Sequence, residues 1–388
     1  MVASVLGFRS LEFAQFWQMH ELTASPLHLG FLGLATGMPA IVLNLAGGVT
    51  ADRLKRRRIV IYTQFGMAVP VFYLGIMTHL DLVGPIHVFV VSALVSGLNS
   101  FNTPARIALY PQYVEPEALL SAVAMNSAAW QTARVVAPAA AGIAVATVGT
   151  ASVYFVSGMG MLLLGGIMCF LPDVSRGRVE TGVFDDLRKG LRFIRRTPPF
   201  AFLIGITFVA SFFGLSYVTL MPVFAVEVLG VGASGQGTML AIAAVGSLLV
   251  TLLVGTRRSF EPRGGMMSVG AVLTALSLIA FVGASAVLGS YSFAIASIFF
   301  VGASSSLFIT SVMTTLQVRV SDELRGRVMG FWSMSWNMMT FGGLFLGVAA
   351  NAAGAPVAVA TGGLIVLVGV ALPVLLRSRN FRRTDHAP

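Results

Sequence analysis

Residues 47–58 read GGVTADRLKRRR, a run in which two glycines and one acid lead into five bases among the six positions 53–58. The chain is apolar on both sides of it, over 28–51 and again over 58–79. A helix crosses the hydrocarbon core with about 20 apolar residues. A cation cluster between two such stretches therefore reads as a tight loop joining two membrane-crossing helices. Loops rich in Lys and Arg are retained on the cytoplasmic side. Outward from this loop the same signal alternates: Arg176–Arg196, Arg257–Arg263, Arg319–Arg327 and Arg377–Arg383 are basic. The connectors near Glu21, Asp81, Gly149, Gly232, Gly289 and Ala352 carry no Lys or Arg. The chain is predicted to cross a membrane between each basic cluster and the next base-free turn, with both ends inside.

Composition agrees. The 388 residues are 56% hydrophobic and 10% charged, with mean hydropathy +0.86, too little polar surface to cover a water-soluble globule. The net charge of +10 sits in short loops beside apolar spans. There it suits anionic lipid headgroups, and nucleic acid is not an expected partner. Cys169 is the only cysteine, so an intrachain disulfide or a cysteine-ligated metal cluster is excluded. The opening residues lack the charged leader and small-residue cleavage site of a secretory signal, and are expected to belong to the first helix.

Apolar runs between polar breaks number twelve: 1–22, 28–51, 58–79, 84–108, 119–147, 150–172, 199–227, 234–256, 265–287, 290–317, 326–352 and 355–377. They predict an all-α polytopic membrane protein. The connector 173–198 places Phe184, Leu187, Leu191 and Ile194 at helical spacing, with Arg188, Lys189, Arg192, Arg195 and Arg196 between them. That pattern predicts an amphipathic basic helix on the inner leaflet. It separates an N-terminal six-helix bundle, 1–172, from a C-terminal one, 199–377, followed by a cytoplasmic tail, 378–388. The halves look related: VEPE at 114–117 resembles VSDE at 320–323, and Gly347 and Gly354 follow Gly142 and Gly149 by 205 positions each. The first pair is 206 positions apart, and such an almost constant offset near half the chain length predicts a tandem duplication.

At the opening loop, Gly48 would let another helix approach closely, and Asp52 would cap a helix N-terminus or pair with an arginine. Retention of positive charge explains the arginines but not an acid four residues after a glycine at the membrane edge. On Gly48, Asp52, Arg53, Arg57 and Arg58 this segment resembles the loop signature of the major facilitator superfamily, with Lys55 where that signature has glycine. His20–Arg58 and Asn102–Gly149 are similar to its drug:proton antiporter branch, which includes siderophore (enterobactin) and macrolide exporters. Arg134, Pro138 and Gly142 stand at the antiporter motif of the fifth helix, with Ala137 replacing a glycine. Gly255, Arg257 and Arg258 resemble a degenerate second copy of the loop signature, and DELRGRVMG at 322–330 resembles the loop before the eleventh helix.

This resemblance implies two pseudo-symmetric six-helix bundles that rock about a midplane cavity. It implies a secondary transporter exporting a small, partly apolar organic molecule, drug- or siderophore-like, in exchange for protons. An uptake carrier or a lysophospholipid flippase on the same fold is the alternative. Asp52 would close the cytoplasmic side against Arg325 or Arg327. Helices one, four, seven and ten would line the pathway with Trp17, Asn99, Asn102, Phe212, Tyr217, Ser304, Ser305 and Thr310. A multi-pass monomer in the bacterial inner membrane is implied, with both termini cytoplasmic, with substrate, protons and lipids as partners and with no cofactor or metal.

Ionised groups at membrane depth cost about 2.5–3.5 kcal/mol on insertion scales, so each invites a function. Arg9 and Glu12 share a face of the first span, continued by Gln15 and Met19. Glu12 is the only acid well inside any span and is the leading proton-coupling candidate, with Arg9 beside it; the alternative is a neutralised Arg9–Glu12 pair that completes the bundle interior. Arg106, near the cytoplasmic end of its span, is expected to snorkel. Arg134, four turns into the fifth helix, is expected to face other helices or the cavity. Gly33, Gly37, Gly158, Gly342 and Gly347 are expected at close helix contacts. No HExxH, GxSxG, paired membrane aspartates or GK[ST] loop occurs, so neither an intramembrane enzyme nor an ATP-driven pump is supported. A receptor or scaffold would need a soluble domain that the chain does not contain.

Overall fold

The computed structural model describes residues 2–173, 197–256, 264–320 and 322–374. The expected amphipathic helix of 173–198, the Arg257–Arg263 loop and the 378–388 tail lie wholly or almost wholly outside the described residues. So do the side chains of Asp52, Arg53, Arg325 and Arg327.

Hydrocarbon offers backbone groups no water to bond, so a segment that crosses it must satisfy its own N–H and C=O groups as helix. The apolar runs fold accordingly. They are α1 Val2–Thr23, α2 Pro26–Arg53, α3 Arg56–His79, α4 Pro85–Leu109, α5 Leu119–Val148 and α6 Thr150–Phe170. In the second half α7 starts as Pro198–Val209 and its span runs to Val228; α8 is Gly232–Gly255 and α9 Gly264–Val282. Next come α10 Tyr291–Arg319, α11 in two pieces (Asp322–Ser333 and Met338–Ala353), and α12 Ala355–Val366. Ten of these are long and apolar enough to cross a bilayer. The exceptions are α1, which carries Arg9, Glu12, Gln15 and Gln18, and α11, which is broken by the 3₁₀ turn Met334–Asn337. Pro26 and Pro85 stand in the first turns of α2 and α4, where the missing N–H costs nothing.

The chain forms two compact units. The first is Met1–Thr181 with Gly232–Ala241, the beginning of α8; the second is Gly182–Val231 with Ile242–Pro388. Within the first, α3 packs on α4 and α6, α2 on α4, and α1 on α5 and α6. Within the second, α9 packs on α10 and α12, and the second piece of α11 on α12 and on the middle of α7. The corresponding elements therefore meet in both units. The glycine pair seen in the sequence matches too: Gly149 joins α5 to α6 with φ 96° and ψ 163°, and Gly354 joins α11 to α12 with φ 87° and ψ 151°. A side chain strains that backbone region, which is why only glycine serves at both joints.

Close helix contacts rest on particular glycines. A methyl group on Gly302 of α10 would run into the backbone of Ala243 on α8, and one on Gly342 of α11 into the Phe212 carbonyl and the Ser216 hydroxyl. Gly158 holds the Phe72 ring, as expected of it. Gly48 does not fit its expectation: the space around it is open, and the neighbouring Gly47 is the residue pressed against Ser100 and Phe101 of α4. One residue along a helix turns the side-chain direction by about 100°, so the glycine facing α4 is 47. Gly302→Leu is expected to lower the thermal midpoint of the purified protein, since overpacking costs about 1–3 kcal/mol. An unchanged melting curve would show that α8 and α10 can separate there.

Candidate functional site

A polar cleft opens within the first unit. Asn99, Asn102 and Arg106 recur at three and four residues along α4 and so share one face. Ser4 of α1, Gln64 of α3 and Trp130 of α5 meet them around about 240 Å³ of empty space, mouth included, which Val5, Phe8, Met67 and Met161 close on the apolar side. Its floor is hydrogen-bonded. Gln64 Nε2 donates to Ser4 Oγ at 3.2 Å and Asn102 Nδ2 to Thr63 Oγ1 at 2.8 Å. Gln64 and Asn102 are buried, and an amide left unpaired at such depth would cost about 1–3 kcal/mol. The network fixes both amides in place.

The charges lie around one ring. Arg9 Nη1 donates to Glu12 Oε2 at 2.7 Å, and the two side chains keep 33% and 44% of their exposure. The Arg9 guanidinium carbon is 5.5 Å from the centre of the Trp130 ring, and that of Arg106 is 5.4 Å from the same centre. Arg106 is only 8% exposed. Among the described residues no carboxylate pairs with it, and its Nε is buried without an acceptor. Taking a guanidinium out of water costs several kcal/mol, while a desolvated indole face returns about 2 kcal/mol. Of the two cations on this ring, Arg9 holds the carboxylate and the more deeply buried Arg106 is left uncompensated among the described residues.

This corrects the expectation for Arg106. It does not snorkel, because α4 is continued by the 3₁₀ segment Tyr110–Tyr113 and the guanidinium turns inward to Trp130. Arg134 was expected to face other helices or the cavity, and its side chain is exposed on α5. Asp52 lies in the last turn of α2, and the residue at the N-cap of α3 is Lys55.

The remaining candidates separate. Asn99 and Asn102 line the cleft. Trp17 is buried in the core with its indole N–H unpaired. In the second unit a separate, narrow pocket is lined by Thr207, Ser211, Thr274, Ser305 and Phe308 among others. Of the predicted residues there, only Ser305 reaches it. Ser304 is buried, accepting from Thr274 Oγ1 at 3.1 Å and donating to the Phe300 carbonyl at 2.6 Å. Tyr217 is buried and Thr310 half-buried. Phe212 packs on Phe213 and Phe345, ring centres 4.6 and 5.8 Å away. The pocket adjoins a π-helical turn, Ala210–Gly214, followed by 3₁₀ helix over Leu215–Leu220; such interruptions concentrate at functional sites.

Pro138 and Gly142 meet the start of α8 inside the first unit. A methyl group on Gly142 would lie 2.5 Å from the Ala233 carbonyl oxygen, and one on Gly237 would strike the Pro138 carbonyl. The two backbones are therefore in direct contact.

The basic loop works as a staple. Arg57 donates from Nε to the Met168 carbonyl at 2.7 Å and from Nη2 to the Cys169 carbonyl at 2.6 Å, closing the end of α6. Arg56 reaches the Ala108 carbonyl of α4 at 3.3 Å, and Lys55 pairs with Asp173 at 3.0 Å. Arg58 is exposed. A cation on a helix C-terminus suits both its dipole and its free carbonyls. Arg57→Ala is expected to cost about 1–3 kcal/mol of stability, read as a lower melting midpoint that Arg57→Lys only partly restores. A melting curve like that of the parent would mean that the staple contributes nothing.

Trp130, Gln64 and Ser4 were absent from the sequence-derived set. Trp130 left one signal, a lone indole in an alanine-rich stretch four residues before Arg134. Gln64 and Ser4 left none, since isolated small or amide side chains in apolar helices are ordinary.

A family model described as transmembrane secretion effector matches residues 1–388. The staphyloferrin A transporter of Staphylococcus aureus is 23% identical over 346 residues, 87% of this chain and 84% of that protein. The enterobactin exporter EntS of Escherichia coli K12 is 23% identical over 383 residues, 95% of this chain and 88% of that protein. The MFS-type transporter YfiS of Bacillus subtilis is 24% identical over 324 residues, covering 80% and 75%. Among solved structures, a bacterial homologue of the human lysosomal transporter Spinster, inward-facing and occupied, superposes with a TM-score of 0.78 at 15% identity, covering 100% of this chain and 97% of that one. That likeness is one of fold. The chain is a multi-pass membrane transporter of small molecules, not an enzyme, and it belongs to the transmembrane secretion effector family of the major facilitator superfamily.

Proposed function

We propose that the protein exports a small, partly apolar organic molecule of drug or siderophore type in exchange for protons. The observation that carries this reading is the Arg9–Glu12 pair at 2.7 Å on α1, beside the polar cleft of the first unit. A carboxylate within a span can take and release a proton as its arginine partner is drawn elsewhere, and intramembrane acids characteristically mark such relays. The relatives named for enterobactin and staphyloferrin A support the substrate class. Alternation by rocking of two helical bundles follows the family pattern, with both termini in the cytoplasm.

The test uses everted membrane vesicles energised by respiration and loaded with a dye that reports internal acidity. Siderophores, macrolides and cationic dyes are added in turn. Export by proton antiport predicts that at least one compound dissipates the acid interior, and only in vesicles containing the protein. Dissipation by none of them, alongside protein-dependent accumulation of any, would remove proton exchange from the account.

A further inference from the structure

Among the described residues nothing neutralises the cation that the cleft at Trp130 holds. Arg106 is more than nine-tenths buried, its Nε has no acceptor, and among the described residues it has no carboxylate partner. Arg9, against the same indole, is already held by Glu12. Asn99 lies about two turns before Arg106 on the same face of α4, and the Asn102 and Gln64 amides brace the floor. A guanidinium presents a planar fork of N–H donors that matches a planar oxyanion.

We propose that this cleft is an oxyanion subsite: Arg106 receives a carboxylate or ionised phenolate of the transported molecule, and the apolar wall of Val5, Phe8, Met67 and Met161 meets the ring or chain that carries it. The inference rests on the reading of the chain as an exporter and narrows its substrates to organic anions. A neutral or cationic drug would leave Arg106 unanswered. The same oxyanion could come from the phosphate of a lipid headgroup, so lipid composition enters the test.

The test measures binding, which keeps it separate from coupling. Purified protein in phosphatidylcholine nanodiscs is titrated with benzoate and with benzamide, its neutral isostere, and the thermal midpoint is followed. Benzoate is expected to raise the midpoint, and benzamide to bind about tenfold more weakly or not at all, the factor that 1.4 kcal/mol represents. Arg106→Gln is expected to bind the two alike. Arg106→Lys keeps the charge but not the fork, and is expected to retain only part of the preference. Equal binding of benzoate and benzamide by the parent protein, no response to either, or a preference that survives in Arg106→Gln would each overturn the proposal. The first two comparisons need no variant, so a misfolded substitution does not block them. Loss of the preference in phosphatidylglycerol nanodiscs alone would assign the site to lipid and remove the substrate claim. Benzoate binding without proton exchange would leave this site standing and sink the antiport reading; proton exchange without benzoate binding would do the reverse.

Discussion

Glu12→Gln protein is expected to lose proton-driven substrate accumulation down to the level of protein-free vesicles, while still exchanging labelled for unlabelled substrate across the membrane. The substitution keeps the shape and hydrogen-bonding capacity of the side chain and removes its ionisation. If Glu12 carries the proton, accumulation against a gradient stops and downhill exchange survives, because alternation no longer requires a proton to be returned. Arg9 loses the charge of its 2.7 Å partner but not an acceptor oxygen, and keeps the Trp130 face, so the unit retains its packing. Normal accumulation by this variant would move the proton site off α1. Loss of both accumulation and exchange, with a lowered melting midpoint, would make the pair a structural one.

Asp52→Asn is expected to reduce transport to background with the melting midpoint unchanged or raised. The reason lies in where the residue falls. Asp52 occupies the last turn of α2, at the negative end of the helix dipole, where an acid is disfavoured by about 0.3–1 kcal/mol. Arg56 and Arg57 nearby are directed at main-chain carbonyls of the same unit. The contact with Arg325 or Arg327 that the family resemblance implies would be made in one conformation and released in another, a gating role. Asparagine removes the charge and the local penalty together. A variant that transports normally would leave Asp52 without a role in gating, and one that melts lower would show that its contact stabilises the fold instead.

The helices were legible because the membrane imposes a coarse rule. Twenty apolar residues between a basic and a base-free turn allow few structures, and the twelve runs correspond to α1 through α12. Even the internal duplication could be followed to Gly149 and Gly354, whose shared backbone conformation tolerates little else. What the sequence left hidden was direction. Asn99 and Asn102 were placed near the pathway by resemblance and do line a cleft, whereas Ser304, one residue from Ser305, is spent on Thr274 and its own helix. Gly48 and Gly47 divide the same way. Helical rotation at this resolution depends on neighbours from other parts of the chain, and periodicity in segments apolar all round does not reveal it. Arg106 was misread for a related reason: closeness to a span end suggests an escape to water, and only the position of Trp130 on another helix shows why the side chain turns inward. Glu12 and Arg9 were legible because a charge in a span is rare enough to stand out without any tertiary knowledge.

The most direct test of proton exchange is transport in proteoliposomes of defined lipid with an imposed pH gradient, interior acid, screened over organic anions and cations of comparable size. The account predicts accumulation of at least one organic anion, abolished by nigericin and absent from Glu12→Gln liposomes. Accumulation that persists after nigericin collapses the gradient, or that survives the loss of Glu12, would contradict it.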